Sequence, residues 1–377
     1  MTIILGILPL AVWLYLLLGR SAFWQLRERD DEEVLLQPAR WPSVVAVVPA
    51  RNEVDVIQKS VGSLLAQDYA GDFRIILVDD QSEDGTVNLL RALNFDKLII
   101  LSGAARPQGW TGKLWAIHQG VAQADDFAPD FLLFTDADIA HSPDNLSRLV
   151  ARAEDGNKVL VSLMARLSCT NPAEYFLIPA FVFFFDMLFP FGAVNDPMNK
   201  LAAAAGGCML ARRSALTLAG GIEAIHHTII DDCALARLMK AQGPIWLGLS
   251  GRAVSLRPYA NFSEIRRMVS RSAYAQLGYS PLQLAGTLLG LLIVYVTPVA
   301  MALFGSGSGQ IAGWAAWFIM ALMFQPILRY YRLSPLWGPL LPAIGAVYAG
   351  FTLDSAVQHW RGKGGMWKGR AQAKSKA

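Results

Sequence analysis

Two aspartates, Asp136 and Asp138, follow an apolar run at residues 131–134 after a single threonine and are separated by one alanine. On an extended backbone, side chains at positions i and i+2 lie on the same side of the strand. Two like charges held this close need a counter-charge, and a divalent cation is the simplest candidate. The alternative is a solvated loop after a buried strand, and this stretch alone leaves both interpretations open.

The elements that must position these acids are short apolar runs that alternate with helical patterns. The runs that we predict as buried strands are residues 44–48, 75–78, 98–101, 131–134 and 159–163. Helical patterns at residues 54–67, 86–92 and 113–124 separate the earlier runs. Continuous apolar strands spaced by helices indicate an α/β fold with a mostly parallel sheet, covered on both faces.

Three of the predicted strands end in polar, mostly acidic segments. These segments are residues 49–53 (PARNE), 79–86 (DDQSEDGT) and 135–138 (TDAD). Ligands of such sheets bind beyond the carboxyl ends of the strands, which lie at one edge of the sheet. We therefore expect the three segments to meet there and to form a binding site.

The predicted site has no glycine-based phosphate cradle. No GxGxxG follows the first strand, and no glycine-rich loop ends in Lys-Ser or Lys-Thr. A nucleotide would instead be held by carboxylates and a metal ion. Asp79 or Asp80 could accept hydrogen bonds from a base or ribose, and Asp136 and Asp138 could hold Mg²⁺ or Mn²⁺ against a diphosphate.

The composition indicates a membrane protein. Hydrophobic residues make up 54% of the 377 residues and charged residues 17%, which is more apolar than an ordinary soluble protein. Residues 2–19 carry no charge, and no basic residue precedes them, so we interpret them as a retained anchor rather than a signal peptide. Residues 281–304, 311–328 and 336–353 form a second apolar block.

Basic residues near the apolar runs predict the orientation in the membrane. Arginines at residues 20–29 place the N-terminus outside and the next segment in the cytoplasm. The basic tail, residues 361–376, should also stay inside, whereas three full C-terminal crossings would place it outside. We expect either that one run is re-entrant or interfacial, the proline-interrupted 336–353 above all, or that the tail breaks the rule.

The net charge indicates which binding partners the protein has, and the cysteines indicate its cellular compartment. The net charge is only +3, and the basic residues cluster near the ends of the apolar runs. This pattern fits binding to anionic lipid headgroups better than binding to nucleic acid. The cysteines Cys169, Cys208 and Cys233 show neither metal-ligand nor disulfide spacing, which suits a reducing compartment. We expect a multi-pass protein of the inner (cytoplasmic) membrane with its catalytic domain in the cytoplasm.

The motifs PARNE, VDDQSEDGT, GWTGK and TDAD, in this order, resemble a family 2 glycosyltransferase with the GT-A fold. The resemblance covers about residues 44–276. The flanking apolar runs resemble the hopene-associated glycosyltransferase subgroup and, more distantly, ceramide glucosyltransferases. The resemblance implies a Rossmann-like sheet with membrane helices at both ends, and an inverting enzyme that uses nucleotide-diphosphate sugars and usually a divalent cation.

The resemblance also implies roles for individual residues. In the nucleotide pocket it places Pro49, Ala50, Asn52, Glu53 and Asp80. It makes Asp138 the direct metal ligand, with Asp136 beside it. Asn52 could instead be a helix N-cap. Lys113, a cation at a predicted helix start, makes sense if it reaches the diphosphate or a carboxylate; the alternative is a surface lysine.

Asp231 and Asp232 open a helical pattern that stops at Gly243. Acids at a helix N-terminus are an ordinary cap, but these also occupy the place of the family's Glu-Asp pair, whose second acid is the general base. Asp232 would accept the proton of the acceptor hydroxyl. The helix N-terminus is expected to keep it ionised at neutral pH. At the position of Asp231 the family has a glutamate, so this chain differs from the family there.

The helical pattern over residues 264–277 lies where related enzymes carry a Gln-x-x-Arg-Trp-like motif, which this chain lacks. It offers Arg271, Tyr274 and Gln276 instead. Arg271 could stabilise the departing diphosphate, or the helix could lie on anionic lipid. Because processive polymerases use the motif to bind the growing chain, its absence favours single-sugar transfer.

These observations predict six segments and one function. The segments are an anchor (1–20), a linker (21–42), a GT-A catalytic domain (43–260), a basic interfacial helix (261–280), a C-terminal membrane region (281–357) and a basic tail (358–377). The function is transfer of a sugar from a nucleotide-diphosphate sugar to a lipid acceptor, which the subgroup resemblance implies is a hopanoid or another isoprenoid. The alternatives are a glycerolipid, polyprenyl-phosphate or polysaccharide transferase and a catalytically silent membrane scaffold.

Overall fold

The computed structural model describes residues 2–32, 35–92, 95–367 and 370–371. The chain divides into two compact units. The helical unit comprises Met1–Arg27, Cys169–Gly192 and Tyr259–Gly365. The sheet unit comprises Glu28–Ser168, Ala193–Pro258 and Met366–Ala377.

The strands of the sheet unit form, within the described residues, one eight-stranded sheet and one small ladder. The sheet contains β1 (Val44–Ala50), β2 (Phe73–Asp79), β3 (Leu98–Ser102), β4 (Phe131–Thr135), β5 (Ile139–His141), β6 (Leu160–Arg166), β7 (Cys208–Arg212) and β8 (Ile245–Ser255). The ladder pairs β9 (Met366–Trp367) with β10 (Arg370–Ala371). The order across the sheet is β3-β2-β1-β4-β7-β6-β8-β5.

The α-helices of the described residues follow in chain order. They are α1 (Thr2–Leu18), α2 (Ile57–Leu65), α3 (Thr86–Arg91), α4 (Gly112–Ala124), α5 (Asn145–Glu154), α6 (Pro172–Leu188), α7 (Phe191–Asn195), α8 (Arg213–Leu218), α9 (Asp231–Lys240), α10 (Phe262–Ser270), α11 (Ala273–Gln276), α12 (Pro281–Leu291), α13 (Thr297–Phe304), α14 (Gly307–Met323), α15 (Gln325–Tyr330) and α16 (Leu341–Trp360).

The predicted strands are all present, as β1, β2, β3, β4 and β6, and the first four run parallel. Every residue of β1 and β4 is buried, as expected for strands covered on both faces. The sheet also contains β5, β7 and β8, which we did not predict. Of these, β7 pairs antiparallel with β4 and β6, and β5 pairs antiparallel with β8, so the sheet is mixed.

A buried aspartate fastens residues 28–32, part of the predicted linker, to the sheet unit. Asp30 is 2% exposed. Its carboxylate lies 3.1–3.3 Å from the guanidinium groups of Arg148, Arg152 and Arg252. Burying a carboxylate is costly unless it is paired and hydrogen-bonded. This stretch of the linker is therefore packed on the domain through an ion cluster.

Replacing Asp30 by alanine is expected to lower the free energy of unfolding of the sheet unit by about 3–5 kcal/mol, because three guanidinium groups lose a buried carboxylate partner. The midpoint temperature of thermal unfolding, measured on detergent-purified protein, should fall clearly. Asp72→Ala is the control, because it removes an exposed carboxylate 3.7 Å from Arg74 and should have little effect. Equal midpoint temperatures for the two variants would contradict the stabilising role of the Asp30 ion cluster.

The helical unit contains, among the described residues, three helical spans that are long and apolar enough to cross a membrane. They are Pro281–Phe304, Gly307–Tyr330 and Pro335–Trp360. The predicted C-terminal runs lie within these spans. At the N-terminus, α1 is apolar but shorter, with 17 residues. The last residues of the predicted basic tail lie outside the described residues.

The prolines of the third apolar run do not interrupt its helix. Pro339 lies in a 3₁₀ segment, Pro335–Leu340, and Pro342 lies in the first turn of α16. A proline in the first turn is tolerated, because its missing N–H would have no partner within the helix there. The prolines therefore do not break α16, and the prediction that this run is re-entrant or interfacial stays a prediction.

Candidate functional site

The carboxyl ends of β1 and β2 lie side by side at one edge of the sheet. Ala50 pairs with Asp79 in the parallel register, and the Asp80 N–H donates to the Ala50 carbonyl at 2.8 Å. Pro49, Ala50 and Asp80 are all buried. The structure thus brings together these predicted pocket residues, which come from two different strands.

The loops after β1 and β2 are locked to each other by hydrogen bonds. The Asn52 side-chain oxygen accepts from the Glu83 N–H at 2.9 Å, and the Thr86 hydroxyl accepts from the Glu53 N–H at 2.9 Å. Asn52 and Gln81 have positive φ values, +51° and +58°, a conformation that non-glycine residues adopt mostly where the surroundings enforce it. Because α2 begins only at Ile57, Asn52 is not its N-cap.

Lys113 lies between two acids that are far apart in the chain. Its Nζ is 2.8 Å from Asp136 Oδ1 and 3.1 Å from Asp231 Oδ2. The lysine side chain is only 16% exposed, so the surface-lysine alternative is wrong. Burial alone would lower the pKa of Lys113, but the charges of Asp136 and Asp231 raise it above its usual value. The amine is therefore a permanent cation in this cluster.

Asp232 is held by backbone N–H groups at the start of α9. Its Oδ2 accepts from the Gly206 N–H at 3.0 Å, and its Oδ1 accepts from the Cys233 N–H at 2.7 Å. Burial and the neighbouring charge of Asp231 nevertheless raise the pKa of Asp232 to about 6. Asp232 is thus mostly ionised at neutral pH but is a better proton acceptor than an ordinary aspartate.

Asp138 is paired with an arginine that the sequence patterns did not reveal. Arg257 Nε lies 3.3 Å from Asp138 Oδ2, and its Nη2 forms an ion pair with Glu53. No local signal distinguishes this arginine, because it follows β8, a strand that we did not predict. The structure places Glu53, Asp138 and Arg257 in one contact group.

Arg271 belongs to the helical unit and is not among the residues that the sheet unit brings together. It is an exposed residue that directly follows α10. That helix is capped by the Asn261 side chain, which accepts from the Glu264 N–H at 3.2 Å. The role of Arg271 at a departing diphosphate, and that of an interfacial helix, stay predictions.

The pair Asp136 and Asp138 fits a divalent cation that is shared with a substrate. The described ranges contain no group of three or more His, Cys, Asp or Glu side chains arranged to hold a metal. Mg²⁺, however, is commonly bound by one or two carboxylates together with substrate phosphates and water. Asp138, whose side chain is 25% exposed, can offer an oxygen to such a cation if Arg257 moves away.

One family model matches almost half of the chain. Residues 45–218 match the model described as glycosyl transferase family 2. The matched region begins in β1, contains the segments after β1, β2 and β4, and ends before Asp231.

Curated relatives match over part of their length. An N-acetylglucosaminyltransferase from Mesorhizobium japonicum is 27% identical over 184 residues, which is 47% of this chain and 41% of the relative. Another, from Rhizobium leguminosarum bv. viciae, is 30% identical over 139 residues, which is 36% of this chain and 31% of the relative. The chain thus spans less than half the length of these relatives.

A solved structure shares the fold over nearly the whole chain. It is the mannosyltransferase PcManGT from Pyrobaculum calidifontis in complex with GDP-Man and Mn²⁺, with a TM-score of 0.56 and 18% identity. The match covers 96% of this chain and 100% of that chain. Together with the mixed α/β sheet, this likeness confirms the predicted GT-A fold.

Proposed function

We propose that this chain, in which residues 45–218 match the glycosyl transferase family 2 model, transfers a sugar from a nucleotide-diphosphate sugar to a lipid acceptor with inversion at the anomeric carbon. The observation that carries the proposal is the convergence of Asp136, Lys113 and Asp231 at the edge where β1, β2 and β4 end. This edge is where open α/β sheets bind their ligands.

The donor would lie across the carboxyl ends of these strands. Asp80 and the loop at Asn52 would contact the base and ribose, with Pro49, Ala50 and Glu53 completing the pocket. Asp138, with Asp136 beside it, would hold Mg²⁺ or Mn²⁺, which when bound would neutralise charge on the diphosphate. Lys113 would supply a second positive charge to the same leaving group.

Asp232 would act as the general base. Its carboxylate takes the proton of the acceptor hydroxyl while the oxygen of that hydroxyl forms a bond to the anomeric carbon. The bond from this carbon to the diphosphate oxygen breaks on the opposite face, and the nucleoside diphosphate leaves with the electron pair. The N–H groups of Gly206 and Cys233, which hold the carboxylate oxygens, would orient the base.

A lipid acceptor is favoured by the apolar helices. The spans Pro281–Phe304, Gly307–Tyr330 and Pro335–Trp360 suggest association with a membrane, where an apolar acceptor is available. By the resemblance noted in the sequence, the acceptor would be a hopanoid or another isoprenoid lipid. The positive-inside rule assigns catalysis to the cytoplasmic face of the inner membrane.

Donor binding to detergent-purified protein tests the proposal. Calorimetry with UDP-, GDP- and dTDP-sugars, in Mn²⁺ and then in EDTA, should find one nucleotide that binds in a metal-dependent way. That donor is then incubated with lipid extracts to find the acceptor. Failure of every donor to bind protein shown to be folded would favour the silent scaffold.

The pH dependence of transfer should report on Asp232. Because its pKa is raised to about 6, the rate should fall as the pH drops through that value and the base becomes protonated. Asp231→Asn removes a charge that raises this pKa, so the acid limb should move to lower pH. Rates measured from about pH 4.5 to pH 8 check this.

The exposed Asp125, which contacts Arg213, offers a matched control for this profile. Asp125→Asn makes the same chemical change in the same unit and should leave the acid limb in place. If the acid limb is identical in wild type and in Asp231→Asn, then Asp232 is not the group whose protonation lowers the rate.

A further inference from the structure

The position of Arg257 next to Asp138 is set by the sheet. In the antiparallel pair of β5 and β8, Ile139 pairs with Ser255. The ladder continues by one bond beyond the strands, because the Leu256 N–H donates to the Asp138 carbonyl at 2.8 Å. Arg257 is the next residue, so backbone pairing brings its side chain to the Asp138 carboxylate.

The guanidinium of Arg257 joins two acids of the predicted donor pocket. It contacts Asp138 Oδ2 at 3.3 Å and forms an ion pair with Glu53, which follows β1. Glu53 is buried, whereas the Arg257 side chain is 41% exposed. A long, partly exposed side chain can change partners without disturbing the packed core. The guanidinium can therefore exchange partners, while the backbone at Asp138 is held by the hydrogen bond from Leu256.

A guanidinium in contact with Asp138 opposes a metal ion at the same carboxylate. Like charges that are only a few ångströms apart repel each other. A divalent cation would therefore bind Asp138 weakly while Arg257 remains there. A diphosphate that arrives with the metal would provide the displaced guanidinium with a new anionic partner.

We propose that Arg257 is the resident counter-cation of the metal subsite: it neutralises Asp138 before the metal binds, leaves it when the metal binds, and then contacts the diphosphate of the donor. The inference rests on the proposed function. It predicts that metal and nucleotide bind with positive coupling, and that much of this coupling passes through one side chain. Coupling of this kind is reciprocal, so either ligand can be varied to measure it.

Binding of Mn²⁺ to the full chain in detergent tests the inference. Free Mn²⁺ is followed by electron paramagnetic resonance, with and without UDP, GDP or dTDP, for wild type and Arg257→Gln. The variant should bind Mn²⁺ alone about tenfold more tightly, since the repulsion is gone. The extra Mn²⁺ affinity that the nucleotide provides should shrink by about the same factor.

Arg213→Gln is the matched control, because Arg213 also forms a partly exposed ion pair in the sheet unit, with Asp125 at 3.1 Å. It should bind Mn²⁺ as the wild type does. Arg257→Leu removes the same charge with a different side chain and replaces Arg257→Gln if thermal unfolding shows that the glutamine variant is not folded.

Two results would overturn the inference, and they can be told apart. If wild type shows coupled binding and folded Arg257→Gln shows unchanged or weaker Mn²⁺ affinity, Arg257 is a structural clamp on Asp138, and the proposed function stands. If wild type binds no Mn²⁺ with any of the three nucleotides, the metal subsite itself is contradicted, and the proposed function loses its metal together with this inference.

Discussion

Replacing Asp138 by alanine is expected to abolish the metal-dependent binding of the donor nucleotide. Asp138 is the better placed of the two acids to bind a cation. Asp136 is tied to Lys113 at 2.8 Å, and burial raises its pKa, with Lys113 opposing and Asp138 adding to the shift. The side-chain partner described for Asp138 is Arg257, which is partly exposed. An oxygen of Asp138 is therefore more easily made available to a cation than one of Asp136.

The loss should amount to at least about 100-fold in nucleotide affinity in the presence of Mn²⁺, because a directly coordinating carboxylate is removed. Calorimetry with the donor that binds wild type, in Mn²⁺ and in EDTA, measures it. Asp126→Ala removes an exposed carboxylate that accepts from Gln123 and should bind like wild type. Wild-type metal dependence in Asp138→Ala would show that the metal does not bind there.

Replacing Asp232 by asparagine should stop transfer while donor binding persists. The amide has nearly the shape of the carboxylate but cannot take a proton, so the rate should fall by about 10²–10⁴-fold. Asp232 does not contact the cation in the proposed arrangement, and nucleotide affinity should therefore change little. Transfer of labelled sugar and calorimetry on the same preparation separate these two effects.

The hydrogen bonds of Asp232 make a test of folding necessary for Asp232→Asn. Both Asp232 oxygens accept N–H groups, from Gly206 and Cys233, whereas an asparagine can accept at only one oxygen. Thermal unfolding should therefore accompany the assay, with Asp231→Asn as the comparison that retains the base. Full activity in folded Asp232→Asn would exclude Asp232 as the base.

The strands and the apolar spans could be predicted from the sequence because both depend on neighbouring residues. A buried strand requires a short apolar run wherever it lies in the sheet. A helix that can cross a membrane requires a certain number of apolar residues in succession. Because β1, β2 and β4 were predicted to be parallel, their carboxyl ends were expected at one edge of the sheet. The contact between Ala50 and Asp80 was therefore also predictable.

The unpredicted strands lack this local signal. Within β8, Gly248 and Gly251 interrupt the apolar pattern, and glycine is depleted in strands. The structure gives a packing reason at the first of them, because a Cβ on Gly248 would lie 2.2 Å from the Trp246 ring. The antiparallel place of β7 between β4 and β6 depends on the path of the chain, which no run of residues encodes.

The order of residues along the chain is enough to show that acids stand at the ends of particular strands and at the start of α9. The packing of distant elements sets the partners of these acids: Lys113 reaches Asp136 and Asp231, and Arg257 reaches Asp138. It also decided the proton affinity of Asp232, which the helix N-terminus alone would have lowered. Ion pairs between residues distant in the chain, and the burial that shifts a pKa, arise only when separate elements pack together.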